Sequence, residues 1–166
     1  MNKKEQDQKI VELLHKDCKL SIESLATMLN MDTVEVAARI DELEKQGAIL
    51  GYGAIVNWDK VCGSDMVTAY IELRTTPQSN DGFDRIAKRI YQCPQVKALD
   101  LMSGSYDFGV TVEGKNIQEI ALFVSEHLAP MEAVTGTATH FVLKRYKGDG
   151  VILTKPSLDA REVISI

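Results

Sequence analysis

The stretch QDQKIVELLHKDCKLSIESLATMLNMDTVEVAARIDELEKQGAILGYGAIVN, residues 6–57, contains three short helical patterns in succession and then an apolar run without helical period. In the first, Ile10, Leu13 and Leu14 share one face at the i, i+3, i+4 spacing of an amphipathic helix spanning about 6–16. Asp17-Cys18-Lys19 ends it. Ser21 is placed to cap a second helix carrying Ile22, Leu25, Met28 and Leu29 on its inner face, which stops at Asn30-Met31. The third begins almost at once: Asp32-x-x-Glu35 reads as a capping-box variant, Val36, Ile40 and Leu43 form the inward stripe, and Gly47 supplies the stop. Ala48 to Val56 reads as the strand of a wing. This order is that of a winged helix-turn-helix, which presents its third helix to the DNA major groove, so DNA binding is the expected activity.

On that third helix the outward positions Thr33, Val34, Ala37, Ala38 and Arg39 are expected to approach base edges. Ser21, Lys45 and either Lys3 or Lys4 are better placed to grip phosphates, which fix register without reading sequence. Charge opposes this. The chain carries a formal net charge of −5, and residues 1–60 hold eight bases against eleven acids. Phosphate contacts from Lys and Arg supply most nonspecific affinity, so useful binding would require several such domains held on one duplex. A tri-helical protein-interaction domain is the plainer alternative.

The whole chain of 166 residues has room for two small domains, and 45% hydrophobic content can furnish their cores. With 26% charged residues, no membrane-length apolar run and no signal-peptide core, a soluble cytoplasmic protein is expected. Cys18, Cys62 and Cys93 are odd in number and far apart, which suits reduced thiols better than a disulfide framework or a zinc site. His15, His127 and His140 show no metal-ligand spacing, Gly51-x-Gly53 lacks the rest of a dinucleotide fingerprint, and neither G-x-S-x-G nor a P-loop is present. No cofactor and no catalytic residue are expected.

Residues 58–65 break the periodicity and read as a linker after a first domain at 1–57. A second domain is expected over 66–147, followed by a tail at 148–166 without clear periodicity. Val67, Ala69, Ile71 and Leu73 alternate with polar residues as a half-buried strand ended by Pro77. Phe83, Ile86, Ala87 and Ile90 keep helical spacing until Cys93-Pro94. Two strands follow, about 96–102 and 106–112, joined by Ser103-Gly104-Ser105-Tyr106, where Gly104 suits a type II′ hairpin. Asn116 can cap a helix carrying Ile117, Ile120, Ala121, Val124 and Leu128 up to Pro130, and a last strand covers about 134–146. The order βαββαβ predicts a ferredoxin-like α+β sandwich with both helices on one sheet face. Tyr70, Leu99, Leu101, Phe141 and Leu143 are assigned to the opposite face, whose apolar content implies cover by a second subunit, at least a homodimer.

Four phrases, DQKIVELLHKD at 7–17, RIDELEKQGAILGY at 39–52, SGSYDF at 103–108 and AVTGTATHFVLK at 133–144, together resemble the leucine-responsive/asparagine-operon regulators, the Lrp/AsnC family, over about residues 5–147. The resemblance implies a transcription regulator that dimerises through its C-terminal module, assembles into octamers or related rings, and often binds an amino acid between subunits. By match to the family motif, Ser103, Gly104, Tyr106 and Asp107 fall on the effector hairpin, with Thr137 and Thr139 on the neighbouring last strand. Asp107 would face an ammonium and backbone N–H groups a carboxylate. The sequence departs from the family at the third helix, where Arg39 stands among Glu35, Asp41, Glu42 and Glu44, and at Glu132-Ala133-Val134, where Pro-Gly-Val is common. Two alternatives stay open: a metabolite-sensing or assembly partner that has lost strong DNA binding, and an enzyme of the haem-pathway decarboxylase kind, which would need a His-rich cleft.

Overall fold

The computed structural model describes residues 2–61, 63, 66–76 and 82–153. Cys62, the strand-ending Pro77 and residues 154–166 of the tail lie outside the described residues. The chain divides into two compact units, Met1–Val56 and Asn57–Ile166.

In the first unit α1 spans Lys3–Lys16, α2 Ile22–Leu29 and α3 Thr33–Lys45. α1 starts three residues earlier than its apolar period suggests, because Asn2 and Glu5 form a reciprocal capping box. Ile10, Leu14, Leu25, Ala26, Val36 and Leu43 form the buried core, with Leu13, Leu29 and Ile40 packed at its margin. Ile22 and Met28, expected inside, are exposed. Ile22 is the first residue of the helix, and Met28 lies about 160° around the helix from the buried Ala26. Ser21 caps α2 by accepting from the Ser24 N–H. Asp32 caps α3 through the Val34 N–H rather than by the full box, since Glu35 turns instead toward Arg39. Gly47, at φ +71°, lets the Ala48 N–H reach back to the Leu43 carbonyl and close α3.

The expected wing strand is not formed: residues 48–56 carry no strand. A strand needs a ladder partner, and this glycine-punctuated segment has none among the described residues.

In the second unit a short helix, α4 (Trp58–Val61), occupies part of the expected linker. The elements β1 (Val67–Thr75), α5 (Gly82–Tyr91), β2 (Val96–Leu101), β3 (Phe108–Gly114), α6 (Ile117–Phe123, continued by a π turn over Val124–Leu128) and β4 (Val134–Phe141) follow in the expected βαββαβ order. They form an antiparallel sheet of order β2-β3-β1-β4. Ala69, Ile71, Leu73, Phe108, Val110 and Val112 from the central strands pack with Ile86 and Ile90 of α5 and with Ile120, Phe123 and Leu128 beyond β3. Each fully buried aliphatic side chain here contributes about 1.5–3 kcal/mol relative to exposure. Asn116 caps α6 through the Glu119 N–H. β4 ends at Phe141 rather than near Tyr146, and Lys147–Gly148 (β5) instead pairs with Val151–Ile152 (β6) in a small hairpin.

The sheet face opposite the helices differs from expectation. Leu99 pairs with Val110 and Phe141 with Ala69, so both belong to the helix-covered side and pack on the core. Leu101, opposite Phe108, shares that side. A register shift between Val96 and Ala98 reverses the alternation of β2, which is why counting by twos misassigns it. Leu143 lies past the end of β4 and is 98% exposed. Of the five, Tyr70 alone belongs to the open face, alongside Thr111, Glu72, His140, Ala138 and Gly109, a polar and small-residue surface rather than an apolar one.

Among the described residues no helix is long and apolar enough to cross a membrane, Cys18 and Cys93 are free thiols, and no cluster suits a metal ion.

Candidate functional site

α3 is held against the other two helices by Val36 and Leu43, which fixes its opposite face outward. Thr33, Val34 and Ala38 are exposed there, and Ala37 is half-buried. Arg39 departs from expectation. Its side chain is only 14% exposed, and its guanidinium donates to Asp7 Oδ1 at 3.2 Å and Gln6 Oε1 at 2.9 Å, with Glu35 at 3.6 Å. It ties α3 to α1 and is not free to read a base. The planar guanidinium suits several acceptors at once, and α1 brings two of them within reach.

Lys45 donates to Asp41 one turn earlier, and both the hydrogen bond and the neighbouring charge raise the lysine above its usual range. Lys3 bridges Glu42 at 2.9 Å and, by donating a hydrogen bond, pulls that carboxyl below the ordinary carboxylate range. Both pairs are solvent-exposed, so each is worth little and could be exchanged for a phosphate. Glu44 accepts from the Tyr52 hydroxyl at 2.7 Å, a bond that with partial burial pushes the phenol up to about 12. The Ser21 oxygen is committed as the α2 cap while its hydroxyl lies near Ser24 Oγ at 3.1 Å.

In the second unit the hairpin after β2 is not a two-residue type II′ turn. The Met102 N–H closes onto the Asp107 carbonyl at 2.7 Å, leaving four residues, 103–106, in the loop, and Gly104 sits at φ +159° rather than near +60°. Asp107 is held from both sides, because besides closing the hairpin through its carbonyl it is bound to β1. Its N–H donates to the Leu73 carbonyl at 2.8 Å, and its Oδ2 accepts from the Thr75 N–H at 2.6 Å and the Thr75 hydroxyl at 3.2 Å.

Tyr106 turns onto the open sheet face, its hydroxyl 2.9 Å from that of Tyr70, with the two rings edge to face. Tyr70 lies across Gly109, where a Cβ would collide with its phenol. The bond to Tyr106 and desolvation push Tyr70 up to about 12, with Asp100 and Glu72 adding repulsion of the phenolate. Thr137 and Thr139 pair with Leu73 and Ile71, so they belong to the helix side of β4, away from Tyr106. Within one chain the six expected effector residues therefore divide between the two sheet faces. Thr75 and Tyr70, which hold Asp107 and Tyr106, were missed at the sequence level. The alternation of β1 marks Tyr70 as outward, but nothing local joins Thr75 to a residue 32 positions later.

A family model described as the AsnC-type helix-turn-helix domain matches residues 5–44, and one described as the Lrp/AsnC ligand binding domain matches residues 68–152. The chain is 39% identical over 161 residues, 97% of each chain, to the HTH-type transcriptional regulator YugG of Bacillus subtilis. An AsnC family transcriptional regulator from Agrobacterium tumefaciens superposes with a TM-score of 0.70 at 25% identity, over 89% of this chain and 94% of that one. The Neisseria meningitidis regulator NMB0573, solved as a complex with L-Met, has the same fold, with a TM-score of 0.70 at 21% identity over 89% and 93% of the two chains. With both units matched in order and nearly full-length identity to an HTH-type regulator, the chain belongs to the Lrp/AsnC family of transcriptional regulators.

Proposed function

We propose that the chain is a sequence-specific DNA-binding regulator whose C-terminal unit senses a small molecule, most simply an amino acid, and that it works in the cytoplasm as a homodimer or a larger ring such as an octamer. The observation that carries the DNA reading is the outward exposure of Thr33, Val34 and Ala38 on a helix braced from behind by α1 and α2. Ser21, Lys45 and Lys3 or Lys4 would hold phosphates. Since residues 1–60 are acidic overall, several units on one duplex supply the affinity that a single one lacks. We assign no catalytic step to the chain.

For the effector, Asp107 Oδ2 is spent on Thr75, which leaves Oδ1 to face an ammonium beside the backbone of the loop at Ser103 and Gly104. Tyr106 on the open face and Thr137 and Thr139 on the helix side do not converge with one another in one chain, so all three join one pocket only if a neighbouring subunit completes it. The L-Met bound by the Neisseria regulator supports an amino acid as ligand. Ligand binding regulates only through differential affinity for two assembly states.

The engagement of both α3 cations with acids favours one second reading, a metabolite sensor that has lost strong DNA binding. Genome-wide DNA pulldown with the purified protein, followed by anisotropy titration at several salt concentrations, separates the two. A regulator retains discrete fragments with an affinity that falls as salt rises, whereas a sensor retains none even at low salt. A melting-temperature screen against the twenty amino acids tests the effector arm, and a flat screen would overturn it.

A further inference from the structure

The third helix meets solvent with methyl groups rather than cations. Along its first two turns the exposed side chains are Thr33, Val34, Glu35 and Ala38; Glu35 turns toward Arg39 at 3.6 Å, which leaves Thr33, Val34 and Ala38 to project into a groove, and Val34, a branched apolar residue, is 75% exposed. Of the two cations of the helix, Arg39 is turned back onto α1, and Lys45, exposed and paired with Asp41, stands at the last position, apart from the turns that would enter a groove. Its later turns present Asp41 and Glu44, which repel phosphates, so the helix can enter a groove only by its N-terminal end. In the major groove guanine is read by Arg or Lys and adenine by Asn or Gln, whereas an apolar side chain recognises one feature, the C5-methyl group of thymine. Residues 33–44 offer no Asn, Gln or Lys, and their one Arg is turned back.

We infer that α3 reads sequence through thymine C5-methyl groups packed on Val34, with Ala38 and the Thr33 methyl beside it, so that its half-sites are anchored on thymine rather than guanine. This specificity rests on the DNA-docking role proposed above and names the base feature that role uses.

The test takes the full-length protein and a pool of duplexes with a randomised centre. The most enriched duplex is then remade in two further forms. In one, deoxyuridine replaces every thymidine, which removes the methyl groups and keeps the hydrogen-bonding edge; in the other, 7-deazaguanine replaces guanine and removes its N7 acceptor. One methyl buried against Val34 is worth about 3- to 4-fold in affinity, so two half-sites together give a loss on the order of 10-fold for the uracil duplex. The deazaguanine duplex should lose less than about 2-fold, since no bidentate Arg is there to miss N7. Val34→Ser, at an exposed position in the first helical turn, should bind thymine and uracil duplexes alike. Equal binding of the two duplexes by the wild type, or full discrimination surviving in Val34→Ser, overturns the inference while leaving DNA binding intact. A pool from which no duplex is enriched overturns the docking role itself, and this specificity with it.

Discussion

Asp107 and Thr75 are joined twice through one carboxylate oxygen, by the threonine N–H at 2.6 Å and its hydroxyl at 3.2 Å. The pair ties the loop after β2 to the end of β1 and holds the hairpin open to four residues. Asp107→Ala removes a side-chain acceptor from a half-buried N–H. The expected cost is about 1–3 kcal/mol in the C-terminal unit, with Asp107→Asn losing less because its carbonyl oxygen can still accept. Urea unfolding measures this, and an unchanged midpoint for Asp107→Ala would show the clamp to be idle. Ligand effects on such a variant must be read against its own unliganded melting temperature.

Arg39 is predicted to act as a brace. Arg39→Met should destabilise the N-terminal unit by about 1–2 kcal/mol, since Asp7 loses its partly buried counter-charge. The preferred DNA sequence should stay the same. Selection of duplexes with the variant decides the point: a changed consensus would return Arg39 to the base-reading set.

The Tyr70–Tyr106 bond predicts a pH dependence of definite sign. Tyr70 in the folded unit is raised to about 12, above the roughly 10 of an unfolded phenol. Its contribution is therefore complete below the unfolded value and is lost as pH rises through the folded one. Between those limits wild-type stability should fall more steeply than that of Tyr70→Phe, which has no phenol to ionise there. Tyr52, raised likewise, is common to both proteins and cancels in the comparison. Gly109→Ala should push the Tyr70 ring aside, and phenolate absorbance at alkaline pH should then show one tyrosine titrating earlier.

Local periodicity and capping make most of the elements legible in the amino-acid sequence. Ile10 with Leu14, Val36 with Leu43 and the Ala69-Ile71-Leu73 alternation are core residues, as their spacing requires. What escapes such reading depends on distant partners. Leu99 and Phe141 fall on the unexpected face because their sides are set by Val110 and Ala69, and in β2 by a bulge that no period reveals. The 48–56 run is apolar enough for a strand, yet a strand exists only with a neighbour. Arg39 reads as outward because its acceptors lie on another helix, more than thirty residues back.

Asn30 connects the helix-turn-helix geometry to a single backbone angle. It closes α2 at φ +51° and ψ +51°, donating to the Ala26 and Thr27 carbonyls, while the Met31 N–H bonds to the Ala26 carbonyl at 3.0 Å. A left-handed residue here lets Asp32 begin α3 two positions later. Asparagine tolerates that conformation and glycine adopts it freely, whereas a Cβ without a local polar group costs roughly 1–2 kcal/mol. Asn30→Ala should therefore lose about 1 kcal/mol and Asn30→Gly almost nothing. Hydrogen exchange at the α2 and α3 amides reads the difference directly. If alanine protects those amides as well as asparagine does, the turn is not held by its backbone angle, and the aim of Val34 relative to α2 must be set by the Leu25–Val36 core alone.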